Sequence, residues 1–155
     1  MKKGIITAFV AMFMYAASVQ AQDYKSAAGL RLGYPWAASY KMFVSEKNAF
    51  EAFAGFRGYT GFKNVLNVGL LYQIHKPISS VDRLTWYYGF GGNLSLGSGA
   101  TSIGISGNLG LDYSFDDIPL NLSLDWVPTF ILGSASYSGF GADFGGLTAR
   151  YILNR

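Results

Sequence analysis

From residue 27 onward, apolar and polar positions alternate with a period of two, the signature of strands with two unlike faces. In the segment 84–96, Leu84, Trp86, Tyr88, Phe90, Leu94 and Leu96 share one face, and Thr85, Tyr87, Gly89, Gly91, Asn93 and Ser95 share the other. The segments 103–115 and 120–130 repeat the pattern. Weaker versions fill 27–34, 38–44, 49–59, 65–73 and 147–153, which makes eight predicted strands. Polar turns at 45–48 and 116–119 and Gly/Ser-rich loops at 59–64, 97–99 and 133–141 separate them. The stretch 74–83, with His75, Lys76 and Pro77, reads as a longer connection. Pro128 lacks a ladder donor, so a bulge or the end of pairing is expected there.

The first residues set the compartment. Lys2 and Lys3 precede an uncharged run over 4–17, and Val19 and Ala21 are small residues placed for cleavage before Gln22. Residues 1–21 therefore read as a removable signal peptide and 22–155 as one exported domain. The run is too short for a comfortable membrane helix.

Composition then decides what kind of strand protein this is. Charged residues are only 14% of the chain and aromatic residues 17%, too little charge for a water-covered surface. Beyond the signal, no segment approaches the ~20 apolar residues of a membrane helix. An exported, aromatic-rich chain of this kind meets a bilayer as a closed barrel. The expected fold is all-β: a closed antiparallel up-and-down eight-stranded transmembrane β-barrel, in keeping with the even strand numbers of bacterial barrels. There is no cysteine, so neither a disulfide nor a thiolate metal site is available, and the net charge of +3 is too small to suggest nucleic acid.

Alternation alone allows either face to point outward. The polar face is mostly Gly, Ser, Asn and Thr, small residues that suit the inside of a narrow cylinder. Its charges balance: Arg31, Lys41, Arg57 and Arg150 against Glu51, Asp112 and Asp125. They are expected to form a paired network inside the lumen, with Lys41 opposite Glu51 across the 45–48 turn. With both termini on the periplasmic side, Tyr72, Trp86, Tyr88, Tyr113, Phe115 and Tyr151 fall toward the periplasmic ends of the apolar face, as a membrane-interface girdle would.

The segments Gly29-Leu30-Arg31-Leu32-Gly33, Ser39-Tyr40-Lys41-Met42-Phe43, Trp86-Tyr87-Tyr88-Gly89-Phe90-Gly91-Gly92, the stretch from Asp117 to Trp126, and Gly145-Gly146-Leu147-Thr148-Ala149-Arg150-Tyr151 resemble small eight-stranded Gram-negative outer-membrane barrels. More specifically, they resemble the "outer membrane protein β-barrel" family. They carry fold rather than catalytic information. The last is similar to the C-terminal signal read by the barrel-assembly machinery, although the chain ends Leu153-Asn154-Arg155 instead of on an aromatic residue.

Candidate chemistry is sparse. The single histidine, His75, is expected in an exposed turn without partners, and Asp116-Asp117 before Ile118-Pro119 reads as a turn former rather than a calcium site. No catalytic, cofactor-binding or metal site is expected. The resulting expectation is a monomeric outer-membrane protein with a structural or interaction role, touching outer-membrane lipid, with a lumen filled by side chains. The alternatives are a narrow pore, a lipid-modifying enzyme and a soluble lipocalin-like carrier.

Overall fold

The computed structural model describes residues 23–57, 65–97, 100–133 and 139–155. The expected signal peptide lies outside the described residues, as does the side chain of Arg57. Among the described residues the chain is all-β, in the order β1 (Ser26–Tyr34), β2 (Trp36–Phe43), β3 (Asn48–Arg57), β4 (Val65–Pro77), β5 (Leu84–Gly97), β6 (Ala100–Ser114), β7 (Leu120–Trp126), β8 (Thr129–Leu132), β9 (Gly139–Gly141) and β10 (Gly145–Asn154).

All pairings are antiparallel, β1 to β6 pair in sequence order, β6 pairs with both β7 and β8, β10 pairs with β7 and β9 with β8, and β10 returns to β1, so the sheet closes on itself. The ten strands make eight staves. β7 and β8 are one stave, paired to β6 in a single register on both sides of Val127-Pro128. β9 and β10 form the eighth, and between them the register slips by one residue, a β-bulge at 142–144 opposite Pro128. The expected irregularity at Pro128 is thus shared between two staves. Gly107 N–H donates to the Pro128 carbonyl, Val127 N–H donates to the Phe144 carbonyl, and the Thr129 hydroxyl donates to the Val127 carbonyl.

The stagger follows from the register. From Leu30, partners run through Ala38, Ala54, Val68 and Leu94 to Ile103 on β6. In the other direction they run through Ala149 and Leu122 to Tyr113, ten positions further along that strand. For eight staves, this shear gives a strand tilt of about 40° and a backbone radius of about 8 Å, narrow enough for side chains to meet across the axis.

The faces are inverted relative to a water-soluble core. Leu30, Leu70, Leu109 and Leu124 point outward and are 48–64% exposed, while Arg31, Lys41, Glu51 and Arg150 point inward and are 0–2% exposed. Asp23, the first described residue, the C-terminal Arg155 and the turns near residues 45, 80 and 117 lie at one end of the barrel.

Two expectations about the chain are corrected. β4 does not stop at Gln73 but continues to Pro77, because residues 74–77 pair in register with β5 down to Thr85. His75 is consequently a buried strand residue rather than an exposed turn residue. The eighth stave also begins earlier than expected, with the short β9 inside what reads as a loop.

Candidate functional site

Period-two strands aim every second side chain at the axis, and the charged ones converge at mid-height. Arg150 is the hub. Its Nη2 pairs with Glu51, its Nε donates to Ser39 Oγ at 2.9 Å, and its Nη1 donates to Ser123 Oγ at 2.7 Å and Asn121 Oδ1 at 3.2 Å. Glu51 also accepts from the Ser39 hydroxyl at 2.8 Å, from Gln73 Nε2 at 2.7 Å and from Arg31 Nη1 at 3.4 Å. Arg31 grips Asp125 with both terminal nitrogens, and the Tyr87 hydroxyl donates to the same carboxylate at 3.1 Å.

Lys41 and Glu51 stand opposite each other in the ladder, as expected across the turn, yet they are not ion-paired. Lys41 reaches across the barrel to Asp112 at 2.8 Å, with its ammonium 4.4 Å from the centre of the Tyr87 ring. Asp112 further accepts from Asn121 Nδ2 at 2.6 Å and Tyr24 OH at 3.3 Å. The geometric reason is reach: adjacent inward residues run side by side toward the axis, whereas opposite walls are close enough for long side chains to meet head-on. Six of the seven charges expected in the lumen are therefore brought together as three cations and three carboxylates. The seventh, Arg57, lies outside the described side chains.

Apolar groups cover this network at both ends. On the loop side, Ala37, Phe53, Leu71, Val127 and Phe144 form one buried cluster, with Tyr34 and Ile131 against it. On the terminus side, Tyr24, Ala27, Phe43, Ala49 and Ile152 form another. Glycine makes room for the large inward rings: Phe53 lies over Gly69 and Tyr87 over Gly110, where a Cβ would fall 2.2 and 2.6 Å from ring atoms.

His75 belongs to the terminus-side layer. It stacks on Tyr87 with centroids 4.7 Å apart and meets Phe43 edge-on at 4.8 Å. Gln73 spends its Nε2 on Glu51, so its Oε1 faces His75 Nε2 at 3.3 Å, and that nitrogen carries the proton. Nδ1 then accepts from the Thr85 hydroxyl at 3.0 Å. Below it a cavity of about 140 Å³, lined by residues including Tyr24, His75, Arg83, Thr85, Asp112 and Ser114, opens at the terminus-side mouth. Asp116 of the turn pair engages Arg83 at 2.7 Å.

On the outer wall, Trp86, Tyr113, Phe115 and Tyr151 lie near the terminus-side end, and Tyr72 and Tyr88 stand further up their strands. Tyr72 joins Phe50 and Phe90 in a row of rings 5.2 and 5.8 Å apart. The sequence reading missed a second tier toward the loop end: Trp36, Phe56, Phe130 and Phe140, all more than half exposed. Phe56 and Phe130 alternate with inward residues as the first tier does, so the same test applied to the opposite strand ends would have found them; Trp36 and Phe140 lie outside the predicted strands.

Compared with known proteins, the chain matches no family model, no curated protein and no solved structure.

Proposed function

We propose that the chain is an integral outer-membrane β-barrel with a structural or interaction role, its lumen filled by its own side chains and without catalytic turnover. The observation that carries this reading is the inverted barrel: a wall of exposed Leu, Ile, Val and aromatic side chains around fully buried charges. Water would face the charges and hide the apolar wall. Hydrocarbon favours the reverse, provided every backbone group is paired in a closed sheet. The longest strands, β4, β5 and β6, have 13, 14 and 15 residues and exceed the about 9–11 that a tilted strand needs to cross, while β1, β2, β3 and β10 have 9, 8, 10 and 10. The signal-like N-terminus and the resemblance to small Gram-negative outer-membrane barrels fit the same reading, with lipid as the main partner, the barrel-assembly machinery as the route in, and a monomer as the working form.

The cross-barrel ion pairs capped by two apolar clusters support a filled lumen over a pore. The test is gel migration of the outer-membrane fraction with and without heating, together with planar-bilayer recording. The reading predicts a heat-modifiable band in that fraction and no stable conductance. Recovery in the soluble periplasm would favour a carrier, and large steady conductance would favour a pore.

A further inference from the structure

We propose that Lys76, Trp86 and Tyr88 form a site on the outer wall for the phosphate of a phospholipid headgroup, in the leaflet on the side of the chain termini. The proposal rests on the membrane reading and adds a named lipid contact to it. Among the described side chains, Lys76 is the one charged group that points outward from a strand; Arg31, Lys41, Glu51, Asp112, Asp125 and Arg150 point inward, and the rest sit in turns, in the bulge at 142–144 or at the ends of the described chain. It is exposed and next to the buried His75, one pleat step away on the opposite face.

A bare cation on a lipid-facing wall is costly at depth and nearly free at the interface, so its place beside the last residue of β4 marks a headgroup level. The register sets Lys76 directly against Trp86. Its Nζ lies 5.5 Å from the centres of both the Trp86 and Tyr88 rings, close enough for both to hold the ammonium electrostatically. The two rings are 5.5 Å apart and 30° from parallel, a short platform.

The polar atoms of this patch are unspent. Among the described residues Lys76 has no ion pair, and neither the Trp86 indole N–H nor the Tyr88 hydroxyl has a hydrogen bond, while the nearby Arg83 is committed to Asp23 and Asp116. An ammonium, an indole N–H and a phenol O–H are three donors on one small apolar surface. The chemistry they complement is an anionic group rich in acceptors, positioned where acyl chains begin. A lipid phosphate ester has that form, and its acyl chains would lie on the Leu70, Phe90 and Leu109 wall above.

The experiment uses the mature barrel, ¹⁵N-labelled at lysine, in vesicles of phosphatidylethanolamine and phosphatidylglycerol. Solid-state NMR should show ³¹P dephasing of one lysine Nζ resonance, and that resonance should be absent in Lys76→Gln. The phosphatidylglycerol that copurifies with the barrel should fall about fivefold in Lys76→Gln, with Trp86→Phe moving in the same direction. A heat-modifiable, vesicle-embedded barrel whose Lys76 signal is not dephased, or whose retained lipid is unchanged in Lys76→Gln, would overturn the site and leave the membrane reading standing. A chain that does not enter vesicles would overturn both.

Discussion

Changing Glu51 to Gln removes one negative charge from the centre of the barrel while keeping the shape of the side chain. Glu51 is fully buried and accepts from four partners: Arg150, Arg31, Ser39 and Gln73. A glutamine amide has one acceptor oxygen in place of two, and its NH₂ would face donors already aimed at that position. The lumen would hold three cations against the carboxylates of Asp112 and Asp125, all of them buried. Removing one partner of a buried ion pair costs about 3–5 kcal/mol. With a urea slope of about 2 kcal/mol per molar, the unfolding midpoint of Glu51→Gln should fall by about 2 M with the slope unchanged. The assay is urea unfolding of the barrel in lipid vesicles, followed by tryptophan emission and heat-modifiability, with the turn substitution Asp117→Asn as the unaffected reference. A loss below about 1 kcal/mol, the worth of a solvated surface pair, would refute the reasoning, because it would mean that water reaches Glu51 and the lumen is not filled.

Four further substitutions probe other layers. Gly69→Ala would push a methyl into the Phe53 ring and should cost about 1–3 kcal/mol in the same unfolding assay. Gly107→Ala, whose Cβ would meet Pro128 Cγ at an ordinary 3.5 Å, should leave the midpoint in place. His75→Phe keeps the stack between Phe43 and Tyr87 but strands Gln73 Oε1 and leaves the Thr85 hydroxyl only the Asp112 carbonyl at 3.5 Å, and a midpoint loss equivalent to about 1–3 kcal/mol is expected. Leu124→Arg places a charge on the outer wall, where a bilayer exacts about 2–4 kcal/mol near its midplane. Vesicle insertion should fail or weaken, whereas a water-facing wall would accept the arginine unchanged.

The eight staves and the direction of their faces were legible because alternation is a local property of each strand. The same parity put Arg31, Lys41, Glu51, Asp112, Asp125 and Arg150 on the inner face one strand at a time. Their partners were not legible. Lys41 bonds Asp112 rather than its ladder neighbour Glu51 because pairing across the axis depends on barrel radius and shear, which are properties of the closed sheet. His75 was hidden by its neighbours: Lys76 and Pro77 carry turn chemistry, yet β5 supplies a full partner row, so pairing overrides the local signal. Phe53, Leu71 and Tyr87 lie on the polar face in the pattern but build apolar layers in the structure. Phe53 and Tyr87 fit only because Gly69 and Gly110 lie beneath their rings on the neighbouring strands. Phe144 enters the core through the bulge at 142–144, which breaks the period on which the reading relied.

The central claim is that lipid, not water, covers the apolar wall, and Trp126 reports on it most directly. Its ring is on the outer face and its indole N–H is tied to the Ala142 carbonyl at 2.7 Å. In a barrel carrying Trp36→Phe and Trp86→Phe, Trp126 becomes the one tryptophan. Reconstituted into vesicles whose acyl chains carry bromine, its fluorescence should be strongly quenched and its emission blue-shifted. Emission at the wavelength of a hydrated indole, quenched by aqueous iodide and untouched by the brominated chains, would contradict the account.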